Sequence, residues 1–233
     1  MGANVTDTNR PLRILDKVMQ GGLGAGNVGV IMGIHGTGKS AIMTTMALDH
    51  AMSFRDTLHV AIGKSVRDIR AFHDEVFEEI TKSLNLQDKV DLLTVERHKQ
   101  IYAYRDGAFT LKRLKESLNF LADHADFRPV MIEIQGWPDF RTCPLEDLRG
   151  LKQLATEFRA EVWCAAQTAR EDQTDPRGVP SYVARAEENF SVIINMVEEG
   201  DHLSLQFIKT HAVAPPKGIH LEFDPKSMLL RWR

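Results

Sequence analysis

Apolar runs alternate with amphipathic stretches over roughly residues 28–166, and the spacing of the two kinds predicts the elements. VGVIMGI (28–34) is apolar throughout, as expected of a strand buried on both faces. SAIMTTMALDHAMSF (40–54) follows as a helix, TLHVAI (57–62) as a second strand, and VRDIRAFHDEVFEEITKSL (66–84) as a long helix. In that last segment Ile69, Phe72, Val76, Ile80 and Leu84 recur at helical spacing and form one packing face. VDLLTV (90–95) reads as a third strand, ERHKQIYAYRDGAF (96–109) as a polar loop, and 110–125 as a helix. PVMIEI (129–134) and EVWCAA (161–166) are further buried strands on either side of the helix 145–158.

After residue 189 the texture changes. FSVIINMV, LSLQFIKTH, GIHLEFD and MLLRWR are short strands with no room for helices between them, so they pair antiparallel. The expected fold class is α/β, a mainly parallel twisted sheet flanked by helices with an antiparallel C-terminal edge. One domain spans 1–233, with 1–11 as a flexible N-terminal tail, and no internal repeat is visible.

Composition narrows the setting. The 233 residues are 43% hydrophobic and 26% charged with a formal net charge of −3, so bulk charge does not favour nucleic acid. Cys143 and Cys164 are too few and too far apart for a disulfide framework or a zinc spacing, which fits a reducing cytoplasm. No apolar run approaches the ~20 residues of a membrane span, and MGANVTDTNRP lacks the character of a secretory signal. Its Met-Gly start followed by Thr6 meets only the loose pattern for N-myristoylation, which requires a eukaryotic enzyme.

The chemistry begins at GIHGTGKS (33–40), which satisfies G-x-x-x-x-G-K-[ST] at Gly33, Gly38, Lys39 and Ser40. Glycines let such a loop curl so that successive backbone N–H groups face phosphate oxygens, and the following helix adds its positive end. Lys39 is suited to the β and γ phosphates and Ser40 to Mg²⁺. The expected nucleotide-binding set is Gly33, His35, Gly36, Thr37, Gly38, Lys39, Ser40 and Ala41, with ATP or ADP and Mg²⁺ as cofactors. A magnesium-side acid is expected at the end of a neighbouring strand. PVMIEIQGW offers Glu133 for that role, against the plainer reading of a buried carboxylate in another hydrogen bond; Asp139 lies farther along the loop.

RILDKVMQGGLGAGNVGVIMGIHGTGKS resembles the opening of the RecA-like ATPase core of KaiC-type and DnaB-type proteins, through Leu15, Asp16, Gly21, Gly22, Leu23 and Gly26 ahead of the phosphate loop. CAAQTAR (164–170) is similar to the strand-end polar switch of that group, with Gln167 in the glutamine position. LQFIKTHAVAPPKGIHLEFDPKSMLLRW is similar to its terminal hairpin. The resemblance covers about residues 12–232. It implies an ATPase that assembles as a ring or filament of like subunits, or on a partner protein, with Lys39, Glu133, Gln167 and Lys209 as catalytic residues and Ser40 and Glu133 on the metal. It further implies that Lys209 reaches the γ phosphate of the adjacent subunit and that His211 stands where an arginine usually follows. Lys209 and His211 share a face at period two, but Leu203, Leu205 and Phe207 share that parity, so a buried face with a basic end is equally consistent.

A second GKS follows at 63–65. A second phosphate loop would need glycine at 58, which is Leu58, and an apolar strand occupies the place of the flexible loop. The RecA-like pattern implies a water-polarising glutamate at this strand end, where the chain instead carries Ile62-Gly63-Lys64-Ser65. A protonated lysine is no base. Lys64 reads as an extra phosphate clamp, as a sign of hydrolysis by another route through Glu133 or Gln135, or as a plain surface residue. The segment 168–188 sets Arg170, Arg177 and Arg185 against Glu171, Asp172, Asp175, Glu187 and Glu188, a poor track for a phosphate backbone. A slow ATP-dependent switch, a DNA-dependent ATPase and a non-catalytic nucleotide-binding scaffold are the readings that stand.

Overall fold

A computed structural model describes residues 12–200, 202–211 and 220–232. The tail expected at 1–11 and the turn of the terminal hairpin lie outside the described residues. The elements in chain order are α1 (Arg13–Val18), β1 (Val28–Gly33), α2 (Lys39–Met52), β2 (Thr57–Ile62), α3 (Val66–Ser83), α4 (Leu92–Arg97) and β3 (Lys99–Tyr104). They continue with α5 (Leu111–His124), β4 (Met131–Gln135), α6 (Leu145–Phe158), β5 (Glu161–Gln167), α7 (Ser181–Ala184), β6 (Val192–Glu199), β7 (His202–Thr210), β8 (Leu221–Asp224) and β9 (Leu229–Trp232).

The strands form one sheet in the order β3-β2-β4-β5-β1-β6-β7-β8-β9. From β3 to β6 neighbouring strands run parallel, and β6 to β9 pair antiparallel. This is the expected α/β architecture with its antiparallel edge. Val28, Val30, Ile31 and Met32 of β1 are all fully buried, because helices cover both faces of the parallel part. Met43 and Met46 of α2 and Val76 and Ile80 of α3 fill one side; Leu114 and Leu118 of α5 and Leu151 and Leu154 of α6 fill the other. Between them, Trp163 of β5 lies beside Gly29 of β1, its register partner, and a Cβ on Gly29 would come within 2.4 Å of the indole ring.

One expected strand is corrected. VDLLTV does not form the third strand: it opens α4, because Asp91 caps the turn by accepting from Leu93 N at 3.0 Å and Thr94 Oγ1 at 3.1 Å. Of that apolar run Leu93 is 70% exposed, and Val95 alone is buried within the helix. The third strand is KQIYAY, inside the segment expected to be a loop. It pairs with β2 alone and sits at the edge of the sheet, so its burial is patchy and no continuous apolar run marks it.

A second departure lies in β7. The pairing shifts between Ile193↔Lys209 and Ile194↔Phe207, so Ile208 is one residue too many. Leu205 and Phe207 pack on the side of α2, whereas Ile193, opposite Lys209, belongs to the other side. The shared parity expected for Lys209 with Leu203, Leu205 and Phe207 is therefore broken by a bulge. Among the described residues no helix is long and apolar enough to cross a membrane.

Candidate functional site

The C-terminal ends of β1, β2, β4 and β5 meet at one edge of the sheet, where the chain reverses its order of strands. This is the crevice in which open α/β sheets present their loops. A cleft of about 720 Å³ occupies it. Its lining includes His35, Gly36, Gly38, Lys39, Ser40 and Ala41 from the loop and first turn of α2, Lys64 beyond β2, and Phe72 of α3. Gln135 at the end of β4, Gly136 through Arg141 beyond it, and Ala165 and Gln167 of β5 complete it.

The loop between β1 and α2 closes on its own atoms. Gly38, the residue ahead of α2, has φ +76°, a left-handed conformation that any side chain would strain. Gly33 is held by contact: a Cβ there would lie 2.6 Å from Thr37 Oγ1 and 2.8 Å from the Met196 carbonyl. Thr37 is buried and its hydroxyl donates to the Ile34 carbonyl at 3.0 Å, closing the turn from inside. Lys39 Nζ donates to the carbonyls of Gly33 at 2.8 Å and Ile34 at 2.6 Å, so the ammonium lies across its own loop. Burial lowers its pKa from the ordinary lysine value. The unbonded N–H groups that begin any helix here belong to the start of the 14-residue α2, beside the cleft.

Lys64 is exposed and lines the same cleft, and Ser65 behind it is a helix cap. Ser65 Oγ accepts from Asp68 N at 3.1 Å and opens α3. The second GKS is thus a strand end, a cleft-facing lysine and a cap, with no phosphate-loop geometry of its own.

Glu133 and Gln135 leave β4 on one face, two residues apart, and their environments differ. Gln135 lines the cleft; its amide is buried, and neither amide atom has a hydrogen-bond partner among the described residues. Glu133 lies deeper, fully buried and outside the cleft lining. The expected reach of Glu133 to a magnesium shell is therefore not what its contacts display. Its carboxylate accepts from Thr44 Oγ1 at 3.3 Å, one turn of α2 beyond Ser40, and meets His59 Nδ1 and His73 Nε2. Burial alone would raise the Glu133 pKa, but the adjoining His59 and His73 outweigh it and bring it down to about 2. Burial in turn lowers the pKa of His73.

Asp139, expected to be too remote, is the carboxylate that does line the cleft. Both of its oxygens are used within its own turn, by Arg141 N at 3.1 Å and Thr142 Oγ1 at 2.9 Å. Gln167 also lines the cleft, at the end of β5 and in register with Gly33. Its carbonyl accepts from Arg141 Nη1 at 3.1 Å and from the Tyr182 hydroxyl at 3.3 Å. Arg141 also donates to Asp172 at 3.0 and 3.1 Å, and its guanidinium lies 4.5 Å from the centre of the Tyr182 ring. Arg177 pairs with Asp175 and Glu187, each at 2.7 Å, and Arg185 donates to the Phe140 carbonyl at 3.0 Å. Arg177 and Arg185, two of the three arginines of the 168–188 loop, thus serve to knit it to itself and to the β4 loop.

Lys209 is not brought to the cleft of its own chain. The bulge turns it toward the α6 side, where Nζ donates to the Glu187 carbonyl at 2.8 Å. This is the end of the sheet where β1 begins, opposite the loop 33–40, since Val192 pairs with both Gly29 and Thr210. His211 ends nearby, with Nε2 3.0 Å from the Gly22 carbonyl.

Sequence reasoning missed His59 and His73 altogether. A signal was present: each stands at a position whose neighbours on the same face are buried, His59 inside TLHVAI and His73 between Ile69 and Val76 on the helical stripe. No protein-family model matches the chain, and no curated protein is similar to it.

Proposed function

We propose that the protein binds a nucleoside triphosphate with Mg²⁺ in the cleft at the end of β1 and hydrolyses it slowly, as a nucleotide-dependent switch of RecA-like type. The phosphates lie along Gly36–Ala41 with Lys39 turning outward from its loop carbonyls to meet them, and Ser40 ligates the metal. The observation that carries this reading is the pairing of that loop with Gln135, whose enclosed amide borders the cleft with no partner among the described residues. An unsatisfied buried amide costs about 1–3 kcal/mol, and a phosphate oxygen or an attacking water supplies the missing bonds.

Slowness follows from the functional groups that line the cleft. Gln135 and Gln167 orient a water but accept no proton from it, Asp139 is engaged in its own turn, and His35, the one imidazole of the lining, is exposed on the loop itself rather than set behind a water. Lys64 adds a cation that favours the bound triphosphate over any base chemistry. The internal pairing of Arg141, Arg177 and Arg185 supports a switch over a motor that tracks along DNA.

The test is steady-state phosphate release by wild type, Lys39→Ala and Lys64→Glu, with and without single-stranded DNA. Slow, DNA-insensitive release is expected for wild type, none above background for Lys39→Ala, and faster release for Lys64→Glu. Rapid DNA-stimulated turnover by wild type would sink the switch, and nucleotide binding without any turnover would favour the scaffold.

A further inference from the structure

Below the cleft, away from any solvent, three metal-ligating side chains converge. His59 on β2 and Glu133 on β4 are register partners on adjacent strands, and His73 of α3 packs over both. All three are 0–1% exposed, and one ligand atom from each lies within 4.8 Å of the others. His59 Nδ1 and His73 Nε2 are 2.7 Å apart, and Glu133 Oε1 is 3.3 Å from His73 Nε2 and in direct contact with His59 Nδ1.

Hydrogen bonding alone accounts poorly for this meeting. Two imidazole nitrogens at 2.7 Å need one proton between them, and the same carboxylate oxygen faces both. One proton then serves three lone pairs, whereas a proton on each nitrogen brings two N–H groups together. When His59 Nδ1 and His73 Nε2 act as ligands, each ring keeps its one proton on the outer nitrogen, His59 Nε2 or His73 Nδ1; both are buried with no acceptor among the described residues, so the carboxylate of Glu133, not an outer shell, orients the rings. A cation at the centre takes one lone pair from each residue and offsets a carboxylate that is wholly removed from water.

We propose that His59, His73 and Glu133 hold one first-row divalent cation, with zinc the best fit, as a closed structural site that clamps β2, β4 and α3 together. Two imidazoles and a carboxylate are a zinc donor set and a poor one for Mg²⁺ or Ca²⁺, which take oxygen ligands. The second carboxylate oxygen of Glu133 supplies a fourth donor, and the Thr44 hydroxyl, 3.5 Å from it, orients that oxygen from outside. Burial on all sides leaves no open position for a substrate, so the role is cohesion rather than catalysis. This site is independent of the nucleotide reading, since none of the three residues lines the cleft.

The experiment uses the untagged full chain, unfolded in chelator and refolded with zinc, with cobalt, or with Mg²⁺ alone. About one tightly held equivalent of zinc is expected after desalting, visible d–d absorption bands in the cobalt sample, and a melting temperature raised by zinc and not by Mg²⁺. His59→Gln and His73→Gln should each lower retained zinc about tenfold or more, while Lys39→Ala keeps it. If either histidine variant fails to fold, the wild-type zinc content and cobalt spectrum decide. Less than about a tenth of an equivalent with no cobalt bands, or full retention in folded histidine variants, would overturn the site.

Discussion

Thr44 of α2 donates its hydroxyl to Glu133 of β4 at 3.3 Å, which ties the helix that follows the glycine-rich loop to a carboxylate two strands away from β1. Both groups are buried. Thr44→Val keeps the volume and removes the donor, leaving the carboxylate short of a bond. We expect a loss of about 1–3 kcal/mol in denaturant unfolding and less than about a threefold change in affinity for a fluorescent ATP analogue. A selective loss of Mg²⁺-dependent affinity would instead place Glu133 in the magnesium shell.

Lys39 and Lys64 line one cleft from different elements and differ in burial. Lys39→Ala should weaken nucleotide binding by about a hundredfold, because a charge-assisted contact in a half-buried loop is lost. Lys64→Ala should cost only about threefold, and that loss should fade at high salt as expected for an exposed charge. Titrations at two ionic strengths separate the two residues.

Gly29 sits against the Trp163 ring at a distance no Cβ tolerates. Gly29→Ala must push the indole or spread β1 from β5, and should destabilise the chain by about 2–3 kcal/mol. Thermal melting followed by tryptophan fluorescence reads both the loss and any repacking.

The loop around Arg177 should be acid-sensitive. The Arg177 hydrogen bond, opposed by burial, holds Glu187 below the usual carboxylate range. At Asp175 burial pushes upward, and the Val179 N–H together with Arg177 outweighs it. Carboxylates depressed in the folded state add stability that is complete above their unfolded pKa of about 4 and is lost as pH falls through their lower folded values. The gap in melting temperature between wild type and Arg177→Met should therefore be widest near neutrality and narrow steadily below about pH 4.

Lys209 donates to the Glu187 carbonyl of its own chain. Lys209→Met should lower stability by about 1 kcal/mol and leave phosphate release within about twofold of wild type. A fall of a hundredfold or more would mean that this lysine leaves its carbonyl to serve the nucleotide of a second copy.

The parallel core was legible because burial on both faces leaves uninterrupted apolar runs such as VGVIMGI and EVWCAA, and the glycine-rich turn at 33–40 because it joins such a strand to the helix that follows. β3 was not legible: KQIYAY is an edge strand with mixed burial, while the apolar VDLLTV before it is turned into a helix by the cap at Asp91. The orientation of Lys209 was hidden for a related reason, since one extra residue at Ile208 reverses every parity argument beyond it. Gln135, His59 and His73 take their meaning from neighbours distant in the chain, and no spacing rule encodes those meetings.

Arg141, Tyr182 and Asp172 join the two loops that flank the cleft by bonds made wholly within the chain. Those bonds call on no group of a ligand, so ordering of these walls does not depend on association. Its heat-capacity change should then reflect only the surface of the cleft itself, and its on-rate should be governed by diffusion and charge rather than by loop closure.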